Sequence, residues 1–187
     1  MALLALADYV KNNRSLWKTW EYSGVLLAGL LGAFFGAIND QITCSISPEY
    51  FHFGKEIEYH SDFRLQVAML GAKAGFFVGF VVFGLYLYFA RSKRGMNVSF
   101  YKSLFLKLRV PLIYALTLVP VTSILFVLLR AHFQPDSLLL LFPESRIPSF
   151  YAVWGWHHGL YIGAVLGTVH GIILIRRSIS SLAERPS

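Results

Sequence analysis

Glu49 and His52 stand three residues apart, a spacing that turns both side chains toward one point if the segment is helical. A Glu-x-x-His pair is half of the carboxylate–histidine constellation that holds metals inside helical bundles. Glu56 and His60, four apart, offer a second pair, and Asp40, His157 and His158 add oxygen and nitrogen donors. Donors of this kind suit zinc, iron or manganese. The expected metal ligands are Glu49, His52 and His158. The expected catalytic groups are Asp40, Glu49 and His158, with Asn39, Tyr50 and Lys73 as substrate contacts. The matching chemistry is metal-assisted hydrolysis or, without a metal, proton transfer with one carboxylate as base and the histidine as shuttle. A charged rim on a surface helix uses the same residues, so a metal site, a metal-free polar site and plain structure all stay open here.

The elements that must position these groups are membrane helices. The 187 residues are 56% hydrophobic and only 14% charged, whereas a soluble domain is about 25% charged. Four apolar stretches, 22–42, 65–90, 110–129 and 150–175, reach the ~20 residues that cross a bilayer. The predicted fold is an all-α polytopic membrane protein, one domain over 1–187, with four transmembrane helices in a bundle. Residues 1–21 read as an amphipathic segment lying on the membrane surface, and 43–64 and 130–149 as the extracytoplasmic loops. Gly155, Gly159, Gly163, Gly167 and Gly171 recur every four residues in the last span. Gly24, Ala28, Gly32 and Gly36 do so in the first, and Gly71, Gly75 and Gly79 in the second. Such glycine-zipper stripes let helix backbones approach closely, and the three are expected to face one another. The third span has no stripe, which places it at the periphery or at an oligomer contact. Pro120 should kink it, with Thr117 as the group to satisfy the freed carbonyl.

The formal charge of +7 is distributed as a topology signal rather than a nucleic-acid footprint. Twelve of the 17 Lys and Arg fall in 11–18, 91–109 and 176–185, while most Asp and Glu fall in the two other loops. Both termini are therefore expected in the cytoplasm, with an anionic lipid bilayer as the partner and no nucleic acid. The lone Cys44 has no internal disulfide partner and reads as a packing residue.

Register then brings the polar residues to one layer. The first stripe, continued by four residues, reaches Asp40, with Asn39 close to the same line, so both face the bundle near its outer surface. Lys73 and His157/His158 lie about 12 Å into their spans from the same side, at 1.5 Å per residue. Ionisable residues at that depth are functional candidates. His158 lies nearer its glycine face than His157 and is the favoured histidine. His170, on the glycine face near the other end, is expected to bond a neighbouring helix. In the first outer loop, Ser47-Pro48-Glu49 is a helix start, and Gly54 a stop, for a short helix over 48–53.

Asp40-Gln41-Ile42-Thr43 followed by Ser47-Pro48-Glu49-Tyr50-Phe51, just after a span rich in small residues, resembles a group of small bacterial multi-spanning membrane proteins of unknown function. The resemblance covers about a dozen residues. It implies a bacterial inner-membrane protein in which Asp40, Gln41, Glu49 and Tyr50 matter as a set, and it implies no reaction. Two functions fit the whole. One is a His/carboxylate site at the outer leaflet that acts on, or moves, a small or lipid-like substrate. The other is a structural or accessory subunit, in a homo-oligomer or a larger membrane complex, with no chemistry of its own.

Overall fold

The structure is a computed structural model that describes residues 17–90, 98–133, 141 and 143–183. The surface segment expected over 1–21 falls outside these up to residue 16, as does most of 134–142. The described chain is helical: α1 (Trp17–Ile46), α2 (Pro48–Lys55), α3 (Phe63–Ala90), α4 (Val98–Leu106), α5 (Arg109–Phe133), a short 3₁₀ turn (Glu144–Arg146) and α6 (Ile147–Ala183). Four stretches are long and apolar enough to cross a membrane: Trp20–Ile46, Phe63–Ala90, Phe100–His132 and Glu144–Ile179. Each outruns its apolar core in the sequence, because in hydrocarbon a backbone amide has no partner except its own helix. Large apolar side chains such as Phe34, Phe77, Leu128 and Val165 stand exposed around the outside, as a lipid-facing surface requires.

The helices pack as two pairs, α1 with α3 and α5 with α6, and the pairs meet mainly where α3 touches α6. Small residues explain the choice of partners. A methyl group added at Gly32 or Gly36 would overlap the backbone of Gly75 or Gly71, and one added at Gly79 would overlap Ala28. In the other pair, methyls at Gly155, Gly159 and Gly163 would strike the α5 backbone around Ser123, Val119 and Ala115, and one at Gly167 would strike Pro111. The stripe of α6 therefore meets α5, not the stripes of α1 and α3. The third span, expected at the periphery, is the partner of the most glycine-rich helix. It accommodates those glycines with Ala115, Thr122 and Ser123, residues that a search for glycine intervals passes over.

α5 carries two prolines, Pro111 and Pro120. Pro120 lies within the helix. The Thr117 hydroxyl donates back to Ile113 and Tyr114 (both 3.0 Å), so it does not serve the carbonyl of Leu116, the one that Pro120 leaves without its amide. Pro111 likewise leaves the Lys107 carbonyl short of a donor; the Val110 amide bonds it at 3.0 Å and the Tyr86 hydroxyl lies 3.5 Å away. Tyr86 reaches that point across Gly171, where any side chain would collide with its hydroxyl.

α2 lies across one end of the bundle, with Tyr50 and Phe51 buried in an apolar cluster that includes Phe63, Val67, Ile147 and Phe150. The predicted stop at Gly54 is overrun by a residue. The helix ends at Lys55, and Glu56 takes the left-handed conformation (φ 57°) normally given to glycine. A second cluster, with Phe83, Tyr86, Leu104 and Ile175, closes the α4 end.

Candidate functional site

Asp40 sits near the α2 end of α1, where the small-residue face of that helix gives way to polar side chains. It is 6% exposed, and so is its neighbour Asn39. Trp156 of α6 donates its indole N–H to Asn39 Oδ1 (2.8 Å). An indole can only donate, so this bond fixes which way the Asn39 amide points. Its Nδ2 group must then donate to Asp40 Oδ1, 3.1 Å away. His157, 5% exposed, approaches the same oxygen through Nε2 at 3.2 Å.

The protonation of this group follows from its partners. His157 Nδ1 lies 2.9 Å from the Val153 carbonyl, which can only accept, so Nδ1 carries a hydrogen. The Nε2···Oδ1 contact then needs a proton of its own. That proton sits on the imidazole, giving an ion pair, or on the carboxyl, giving a neutral pair. In either form the Nε2···Oδ1 contact is a hydrogen bond in an apolar setting. Tyr50 lies flat against the His157 ring (centroids 4.7 Å, planes 21° apart) and Phe51 meets it edge-on, which fixes the ring plane. Burial raises the Tyr50 hydroxyl above its ordinary pKa, with nearby Tyr161 and Asp40 adding to the effect, so this phenol stays neutral.

The pair opens onto a cavity of about 480 Å³ between the two helix pairs. Asn39, Asp40, Lys55 and His157 line its α2 end, and Leu108, Arg109 and Pro111 its α4 end. Its α1 wall runs from Ala28 to Asp40, about 18 Å of helix. Between the polar ends the walls are Leu31, Phe35, Ala74, Val78 and similar residues.

The other sequence candidates lie elsewhere. Glu49 has both oxygens engaged: Arg146 Nε donates to Oε1 (2.8 Å) and Ser47 Oγ to Oε2 (2.9 Å). Burial alone would raise its pKa; its own backbone amide, Ser47 and Arg146 outweigh that and lower it. Glu49 thus latches α2 to the start of α6. His52 turns away from it, with Nδ1 2.8 Å from the Ile57 carbonyl and its ring against Phe53 and Tyr59. The second Glu/His pair does not form either, since Glu56 is the helix cap and His60 bonds Glu58. His158 bonds the Trp154 carbonyl (2.9 Å) and packs on Phe126 of α5, on another side of α6 from Asp40. Among the described residues no three His, Cys, Asp or Glu side chains gather closely enough to hold a metal ion. The proposed ligands Glu49, His52 and His158 are thus held apart, each by its own partner.

Lys73 is exposed on the outside of α3 and does not line the cavity. The cation at the site is Lys55, whose Nζ rests 5.5 Å over the Tyr50 ring. His170 bonds the Tyr114 hydroxyl of α5 (3.1 Å), the neighbouring-helix contact expected of it. Gln41 ties α1 to the first turn of α3 through the Arg64 carbonyl (2.8 Å). Sequence reasoning also missed Trp156, although it stands beside His157 at the level of Asn39 and was open to the same depth count. Cys44 is buried in the cluster beneath α2.

Fold and site together define a helical protein with four helices long and apolar enough to span a membrane, carrying a buried Asp–His pair at one end of an internal cleft. No protein family, no curated protein and no solved structure matches the chain.

Proposed function

We propose that this chain is a multi-pass protein of a bacterial inner membrane that takes a lipid-like amphipathic molecule into the cleft between its helix pairs. It exchanges a proton with the polar end of that molecule through Asp40 and His157. The observation that carries the reading is the opening of a buried Asp–His pair onto the end of a long apolar cavity. A purely structural ion pair has no need of such a cavity, and a lipid-filled gap has no need of a proton. The α2 end faces the extracytoplasmic side and both termini face the cytoplasm, a placement supported by the concentration of Lys and Arg in 11–18, 91–109 and 176–185. The glycine stripes act within each pair as a zipper, which leaves the seam between the pairs as the place where the protein yields to a ligand.

A dansyl-labelled single-chain amphiphile, titrated into the protein in maltoside micelles, tests this reading. Saturable binding is expected, with affinity about tenfold weaker in Asp40→Asn, the equivalent of one hydrogen bond to a charged group. Binding to the wild type in weak buffer should also change the bulk proton count. Absence of saturable binding, or binding that Asp40→Asn leaves untouched, would refute it. A second reading, in which the pair only cements two helix pairs of an accessory subunit, is favoured by the bonds that engage both ends of the Asn39 amide and both His157 ring nitrogens. On that reading Asp40→Asn lowers stability and no amphiphile saturates.

A further inference from the structure

We infer that the head group received at the α2 end carries an anionic group with a hydrogen-bond donor beside it, as a phosphoethanolamine or phosphoglycerol head does. This rests on the amphiphile-binding reading above and specifies its ligand. Two observations carry it. The first is Asp40 Oδ2. Asp40 is more than nine-tenths buried, and Oδ1 takes both of the side-chain bonds that reach it, from Asn39 and His157. Oδ2 accepts no hydrogen bond among the described residues. It stands where Gly71 presents only a hydrogen, 2.8 Å from the position a methyl there would occupy, and both residues line the cavity. Oδ2 is the carboxylate oxygen left open to the cavity, where a donor on whatever fills that space can bond it.

The second observation is Lys55. It lines the same end of the cavity and makes no hydrogen bond or ion pair among the described residues; its only described polar contact is with the face of Tyr50. No carboxylate among the described residues pairs with the exposed Lys55 ammonium, so an anionic group arriving at this end of the cavity can pair with it. Tyr50 connects the two points, since its ring lies against His157 and under Lys55. The chain of the ligand then runs along the apolar walls toward Arg109.

The test compares dodecyl probes with a common tail, by calorimetry on the full chain in maltoside micelles. Dodecylphosphoethanolamine and dodecylphosphoglycerol carry both the phosphate and a donor. Dodecylphosphocholine keeps the phosphate but has no N–H or O–H. Tighter binding of the first two, by about tenfold over the choline probe, is expected. Lys55→Gln should weaken all three about tenfold, while Asp40→Asn should abolish the preference for the donor probes. Lys55 is exposed and unbonded, so its variant should melt like the wild type. Equal binding of all three probes, or a loss on Arg109→Gln in place of Lys55→Gln, overturns the head-group assignment and leaves the parent reading standing. Binding of none overturns both. Whichever donor probe binds more tightly, ammonium or hydroxyl, identifies the donor and supports the assignment.

Discussion

Breaking the Asp40–His157 contact from both sides at once should cost well under the sum of breaking it from each side alone. Asp40→Ala removes the acceptor of two buried donors, Asn39 Nδ2 at 3.1 Å and His157 Nε2 at 3.2 Å. Each buried group left without a partner costs about 1–3 kcal/mol, so a loss of ~3 kcal/mol is expected once the ring and amide have relaxed. His157→Ala leaves a buried carboxylate facing only one donor, and removing one member of a buried pair typically costs about 3–5 kcal/mol. In the double variant the histidine and the carboxylate are both gone, and only the Asn39 amide loses a bond. The two penalties are therefore not summed, and the coupling energy should be ~2–4 kcal/mol. Reversible unfolding in mixed micelles, followed by tryptophan fluorescence across a series of SDS fractions, measures all four corners of the cycle. Additive single effects, with coupling under about 0.5 kcal/mol, would mean that the two side chains do not share a proton and would refute the site as described.

Three further outcomes are expected. Glu49 is more acidic in the folded chain than in the unfolded one, so its latch contributes fully above the ordinary glutamate range and is lost as pH falls through its lowered pKa. With Arg146 47% exposed the pair is worth under ~1 kcal/mol, and Arg146→Gln should lower the melting temperature at pH 7, by an amount that shrinks as pH falls through that lowered value. Glu56→Gly should raise stability by about 1 kcal/mol in the same unfolding assay, because it relieves a left-handed non-glycine residue. Gly75→Ala should cost about 1–3 kcal/mol by pushing α1 off α3, where its methyl would meet the Gly32 carbonyl. Gly84→Ala, with nothing within 4 Å, should be neutral or stabilising by up to about 1 kcal/mol; equal losses at both glycines would contradict the packing.

What the sequence made legible depended on periodicity. The inward placement of Asn39 and Asp40 followed from the four-residue interval of α1, because a helix carries its register unbroken to its end. The same arithmetic put His157 and His158 at the correct depth but preferred His158. Adjacent residues differ by 100° on a helix, and the choice turned on which neighbour the glycine face of α6 meets. Having α5 as that neighbour turns His158 toward Phe126 and leaves His157 for Asp40. Lys73 is a candidate by its depth, but its angle, roughly opposite the stripe of its own helix, fits the exposed place it takes outside α3. Lys55 was illegible, since its place over the cavity depends on how α2 folds back, a tertiary fact with no period. The Glu49–His52 pair does not form because Ser47 and Arg146 hold the carboxylate, and Arg146, 97 residues away, is a tertiary partner that no local spacing announces.

Each helix pair is contiguous in the chain: α1 with α3 within 17–90, α5 with α6 within 98–183. The glycine contacts within each pair are thus made between segments that emerge from the ribosome one after the other. The first pair can close before the second is synthesised, and the cleft comes into existence only when the two meet. A chain interrupted between residues 90 and 98 and expressed as two fragments should reassemble in the membrane, with the cavity and its Asp40–His157 pair restored only by the complex.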